Sequence, residues 1–143
     1  MYFEFKRLSD FTKKDLEEIK FFTYKDGMAR PIFINAAENK LKNAEDYILT
    51  ILRHDYKFIL GWSLLIPKKG QCGSDSWVKN SAYMCFVRPL FRKHGLGRKI
   101  FEETTKQFSS TNEIMVYGWD ERSKEFYSKI QQEKLNKKEI NIW

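Results

Sequence analysis

This 143-residue sequence predicts a mixed α/β (α+β) fold, with one central sheet flanked by helices. Three observations lead there. Apolar runs of strand length, such as Phe58 to Ile66 and Ala82 to Val87, alternate with longer segments whose apolar residues recur at helical spacing. One strand passes directly through a glycine-bearing turn, Arg92-Lys93-His94-Gly95-Leu96-Gly97, into a helical pattern. The length fits one domain, residues 1 to 143, able to bury a core without staples.

Taken in order, Tyr2 to Leu8 alternates crudely between apolar and charged residues and reads as a first strand. Thr12-Lys13-Lys14-Asp15 has the form of a capping box, in which Thr12 satisfies an early helical N–H and Asp15 reaches back. Leu16, Ile19 and Phe22 follow at helical spacing, so a helix starts there. Pro31 opens a short helix that carries Ile34, Ala37 and Leu41 on one side. From Tyr47 to Ile66 two patterns compete: Ala44, Tyr47, Ile48, Ile51 and Leu52 fit a helical period, whereas Phe58 to Ile66 is strand-like. Pro67 to Asn80 reads as a loop.

The second half is clearer. After the strand Ala82 to Val87, the helix from Gly95 to Phe108 puts Leu96, Ile100, Thr104 and Phe108 on one face. Glu113 to Gly118 is a short strand, with Ile114 and Val116 facing one way and Met115 and Tyr117 the other. Asp120 caps a helix on which Ser123, Phe126, Tyr127 and Ile130 lie together, and Lys138 to Trp143 forms a final strand.

Composition bounds the function. The net charge of +7 is spread over separated lysine pairs such as Lys13-Lys14, Lys68-Lys69 and Lys137-Lys138, the pattern of a solvated surface. The two cysteines, Cys72 and Cys85, lack zinc-type spacing and read as reduced thiols. Glu4, Lys6 and Arg7 break the first apolar residues, so no secretory signal is expected, and no apolar run reaches membrane-spanning length. These features point to a cytoplasmic protein with no membrane partner and no metal.

The Arg92 to Gly97 turn carries the chemistry. A strand that enters a glycine turn and opens a helix aims several free backbone N–H groups at one point, where they hold a phosphate. Gly95 permits positive φ, and Gly97 keeps a Cβ away from where a diphosphate would lie. Arg92, Arg98 and Lys99 add positive charge beside the helix N-terminus.

With Val87-Arg88-Pro89 in front of it, the segment resembles the coenzyme A loop of the GNAT superfamily of N-acetyltransferases, which reads V-x-P and then R/Q-x-x-G-x-G/A. A second stretch, Asp120 to Lys129, is similar to that family's N-x-x-A-x-x-F-Y-x-K. Together they span Ala82 to Lys129.

The resemblance implies an acyl-CoA N-acyltransferase fold with a splayed sheet, and a β-hairpin between Tyr47 and Ile66 turning at His54 to Lys57. It implies acetyl-CoA as cosubstrate, with the diphosphate held by Arg92, Lys93, His94, Gly95, Leu96, Gly97 and Arg98. The backbone of Cys85, Phe86 and Val87 would meet the pantetheine arm, facing Val116 to Gly118, with Asp120 and Ser123 nearby. Tyr127, whose hydroxyl has an ordinary pKa of roughly 10, would be the acid for the leaving thiolate. The acceptor would be a primary amine of a small molecule or protein, chosen by the segment from Thr23 to Asn43. No general base is assigned among His54, His94, Tyr83, Asp75, Glu113 and Asp120.

Two other readings stay open. One is an enzyme of the same fold acting on nucleic acid, such as charged tRNA or a modified base, and the other a non-catalytic module that binds coenzyme A. Three departures bear on the choice: Asp120 stands where the family often has Asn, Gln131-Gln132 replace a common Gly-Phe and leave the helix free to run on, and the tail has space for one final strand where two are usual. A homodimer partner could complete the acceptor pocket.

Overall fold

Six strands form one sheet in the computed structural model, which describes residues 1–7, 10–25, 47–55, 57–66, 81–108, 113–116, 118 and 120–142. They lie side by side in chain order: β1 (Tyr2–Arg7), β2 (Ile48–Arg53), β3 (Ile59–Ile66), β4 (Ser81–Val87), β5 (Glu113–Val116) and β6 (Glu139–Ile142). The first four are antiparallel neighbours, and β4–β5 and β5–β6 are parallel. Parallel neighbours need a crossover, and the chain supplies two, α2 (Leu96–Phe108) and α3 (Glu121–Glu133). Right-handed crossovers running in one direction along the sheet put both helices on the same face. Phe101 of α2 and Tyr127 and Ile130 of α3 accordingly share one core cluster with Ile48, Leu65, Tyr83 and Val116.

Every residue of β2 and β3 is buried. A strand covered on both faces loses its alternation, which is why Tyr47 to Ile66 reads as helix or strand equally well. The hairpin forms, turning where expected: the Lys57 amide donates to the His54 carbonyl at 2.7 Å, the His54 amide to the Phe58 carbonyl at 2.9 Å, and Lys57 takes φ +73°. β6 and β5 form as single strands at the expected places. α3 runs on through Gln131 and Gln132 to Glu133 and stops where Lys134 turns left-handed. The short helix expected after Pro31 and the loop from Pro67 to Asn80 lie outside the described residues.

The capping box before α1 (Lys13–Lys25) closes in both directions. The Asp15 amide donates to Thr12 Oγ1 at 3.1 Å, and the Thr12 amide to Asp15 Oδ2 at 3.2 Å. Asp15 also accepts from Lys6 Nζ at 2.8 Å, which ties α1 to β1. Beside it, Arg53 at the end of β2 is 5% exposed and would be costly to bury as a lone charge. Its Nε donates to Glu4 at 3.0 Å and its Nη1 to Glu18 at 2.8 Å and to the Lys57 carbonyl at 2.8 Å. One guanidinium thus joins β1, α1 and the β2–β3 turn, and the sequence gives no sign of it.

Two outcomes follow for stability. Thr12→Ala loses the cap and is expected to lower unfolding free energy by about 1 kcal/mol in urea titration. Burial pushes the Asp15 carboxyl up, but hydrogen bonds from Lys6 and Thr12 outweigh it and hold the group below its usual 3.8. A depressed native pKa contributes stability that is present above the unfolded value and lost as pH falls through the native one. Asp15→Asn is therefore less stable than the parent at pH 6, and the gap between them closes below about pH 3.8 in parallel urea titrations.

Candidate active site

Pairing with β3 fixes where each backbone group of β4 points. The Arg88 amide donates to the Leu60 carbonyl at 3.0 Å, and the register sets Phe86 opposite Trp62 and Met84 opposite Leu64. In an antiparallel ladder alternate residues turn both backbone groups to the same neighbour. Met84 and Phe86 therefore bond β3, while Tyr83, Cys85 and Val87 turn theirs toward β5. β5 meets only the start of that edge: among the described residues its pairing stops at Tyr83 with Val116. Cys85 and Val87 lie beyond the last described pair of that ladder.

Two side chains lie along that edge. The Tyr127 hydroxyl is beside the Cys85 backbone, and Arg92 Nε donates to the Val87 carbonyl at 2.7 Å. Tyr127 is buried, edge-on to Tyr83 with ring centroids 6.3 Å apart and to Phe126 at 5.0 Å. Burial lifts its pKa well above the usual 10.0, the Cys85 thiol adds to this, and the Cys85 amide opposes it. Burial likewise pushes the Cys85 thiol up to about 12, against the Tyr83 hydroxyl and the Arg92 charge. Both groups hold their protons at neutral pH.

Tyr83 lies one layer deeper. Its hydroxyl is buried and has no hydrogen-bond partner among the described residues, although Ser63 and Cys85 lie beside it. Ser63 belongs to a buried hydroxyl chain, Ser63 to Thr104 at 3.1 Å and Thr104 to Thr50 at 2.8 Å, that fixes α2 against β2 and β3.

Downstream of β4, Pro89–Phe91 makes a single 3-10 turn and the chain then bends through two left-handed residues, Lys93 at φ +67° and Gly95 at φ +77°. A lysine in that region is strained by roughly 1 kcal/mol. The Lys99 amide makes the first helical bond, to the Gly95 carbonyl at 3.1 Å, so the amides of Leu96, Gly97 and Arg98 are left over. No group among the described residues accepts from them. They sit at the far end of the strand whose edge is free.

The side chains of the expected site are arranged less simply. Leu96 turns into the core with Leu52, Leu60 and Ile100, leaving only its amide on offer, and His94 and Gly95 are exposed. Phe86 packs against Trp62, 6.0 Å between centroids. Arg98 is clasped by Glu133 of α3, Nε at 2.8 Å and Nη2 at 2.7 Å. Asp120 caps α3 by accepting from the Ser123 amide at 2.8 Å, which holds its carboxyl below the usual value.

Gly97 needs a correction. A Cβ there would lie 3.0 Å from Cζ of Phe126 and 3.6 Å from Cγ2 of Val87, so its missing side chain makes room for the Phe126 ring rather than for a diphosphate. That contact brings α3 against the first turn of α2. The motif reveals neither Phe126 as the neighbour of Gly97 nor the inward turn of Arg92, because both depend on how two separate helices dock. Among the described residues, no group of His, Cys, Asp or Glu side chains could hold a metal ion.

The Gly97 contact is testable. Gly97→Ala gains up to about 1 kcal/mol in helix propensity and loses about 1–3 kcal/mol by crowding Phe126. It is expected to destabilise the parent and to stabilise a Phe126→Leu background, giving at least about 1 kcal/mol of coupling in a double-mutant cycle. Additive effects would contradict the contact.

No protein-family model matches the chain, and none of the curated proteins does. Solved structures do. A candidate acetyltransferase from Exiguobacterium sp. 255-15 superposes with a TM-score of 0.58 at 16% identity, over 91% of this chain and 84% of that one. A tetramutant of the BH1408 protein from Bacillus halodurans gives 0.51 at 16% identity over 91% and 92%. A single-site variant of the same protein gives 0.50 at 14% over 91% of each. At these identities the likeness is one of fold. The mixed six-stranded sheet with its flanking helices is the GNAT-like acetyltransferase fold that the two sequence motifs resemble.

Proposed function

We propose that the protein is an acyl-CoA-dependent N-acyltransferase that moves an acetyl group from acetyl-CoA to a primary amine of a small molecule or protein. One observation carries this reading: β4, at Cys85 and Val87 beyond its last described pair with β5, leads directly to the amides of Leu96, Gly97 and Arg98, from which no described group accepts. A strand edge suits an extended, amide-bearing arm, and a helix start suits a diphosphate. Coenzyme A joins those two chemistries in one molecule. The acetyltransferase fold of the similar structures supports the same reading.

In this account the Lys93 to Arg98 loop binds the diphosphate through backbone amides, with positive charge from Arg92, Arg98 and Lys99. Asp120 and Ser123, at the start of α3, border the arm. The thioester supplies an activated acetyl group, whose carbonyl carbon the amine nitrogen attacks while the carbon–sulfur bond breaks. Backbone amides at the splay polarise the carbonyl oxygen. Tyr127 attends to the sulfur. Its raised pKa lies above that of a thiol, roughly 8.5, so it steadies the leaving thiolate by a donated hydrogen bond, and the proton from the amine leaves to water.

The test separates binding from turnover. Tyr127→Phe is expected to bind acetyl-CoA within about threefold of the parent by calorimetry and to release thiol about 10²-fold more slowly with an accepting amine. In the parent, Tyr127 causes no falling limb in the rate below about pH 10, because its ionisation is displaced upward. Undiminished turnover in the variant would remove Tyr127 from the mechanism. Failure of acetyl-CoA to bind the parent would remove the function.

A further inference from the structure

The Arg92 side chain, expected at a diphosphate, folds back onto β4 in this structure. Its Nε lies 2.7 Å from the Val87 carbonyl, and its guanidinium sits 5.5 Å above the Phe86 ring. It is close enough to Cys85 and Asp120 to lower the pKa of both. The side chain thus lies across the end of β4, at the edge that β5 leaves.

Resting on the acyl-CoA reading above, we propose that Arg92 is a placeholder on the outer edge of β4, at the Val87 carbonyl, and that the pantetheine arm binds by exchanging with it. The physical reason is that half-buried backbone groups are costly when left unbonded, about 1–3 kcal/mol each. An edge that must open to a ligand needs partners that satisfy it and can leave, and a side chain can leave without unzipping a sheet. Cys85 and Val87 point the same way, roughly 6.7 Å apart, the repeat of an extended amide chain. Once displaced, Arg92, on the loop that opens α2, can turn to the diphosphate. Arrival of the arm would then set this group in its working position. A peptide strand could use the same edge, but the unused amides at the start of α2 favour an occupant that carries an anion beyond its amides.

The exchange makes an unusual prediction: removing a positive charge should strengthen binding of part of a negatively charged ligand. Arg92→Met keeps the aliphatic stem and removes the donors. Pantetheine, which lacks the nucleotide, is expected to bind this variant about fivefold to tenfold more tightly than the parent, because no charged hydrogen bond has to be broken first. Adenosine 3′,5′-bisphosphate is expected to bind it no more tightly than the parent, and Arg92→Lys should fall between the two for pantetheine. In nitrogen-15 NMR of the unliganded parent, the Arg92 Nε–H should be protected from exchange and should lose protection when coenzyme A is added.

Equal or weaker pantetheine binding by Arg92→Met overturns the exchange. An unprotected Arg92 Nε–H overturns it with no ligand involved. A parent that fails to bind coenzyme A while keeping a protected Nε–H overturns the acyl-CoA reading instead. Displacement of Arg92 by an extended peptide and not by coenzyme A overturns pantetheine as the occupant.

Discussion

Beyond Tyr83, β4 keeps β3 on one side; on the other the described pairing with β5 ends, and at Val87 the backbone carbonyl accepts from a side chain, Arg92, rather than from a strand. Much of the site follows from this. The edge is half-buried, and at Val87 its described partner is the Arg92 side chain. The same strand then feeds the turn that opens α2. A single extended segment therefore presents first a peptide-like edge and then a set of spare amides, in the order in which coenzyme A presents its arm and its diphosphate.

The rest of the fold keeps that segment still. β2 and β3 are buried from end to end, and β4 is stitched to β3 along its whole length. α2 is held down by Ile100 and Phe101, both wholly buried, and by the hydroxyl chain from Thr50 through Thr104 to Ser63. The direction of its first amides is thus set by core packing rather than by the loop before it. Lys93 and Gly95 absorb the change in direction between strand and helix, and at Lys93 the backbone carries some strain. On the opposite flank, Arg53 ties the first strand and first helix to the hairpin through Glu4, Glu18 and the Lys57 carbonyl. It is a structural anchor, remote in role from the loop chemistry.

Elements with a strong local signal were legible in the sequence. The capping box at Thr12 and Asp15, the cap at Asp120 and the turn at Gly95 are encoded within a few residues, and each forms as its chemistry requires. The hairpin of β2 and β3 was ambiguous for a physical reason, since strands buried on both faces have no period to read, and only the family resemblance resolved it. What depends on docking was not legible. Gly97 follows the motif, yet the space beside it belongs to Phe126, 29 positions on. Arg92 also follows the motif, but its side chain folds back to Val87. A charge or a glycine in a pattern specifies a residue type, whereas the direction of a side chain is decided by neighbours that the pattern does not contain.

The central claim is that one ligand spans both the edge of β4 and the start of α2, and backbone amide shifts test it most directly. Nitrogen-15-labelled protein titrated with acetyl-CoA should show its largest changes at Cys85, Val87, Leu96, Gly97 and Arg98 together, saturating along one binding curve. Changes at the helix start alone would reduce the site to a simple anion cradle. No change at either place, or two groups that saturate independently, would contradict the account.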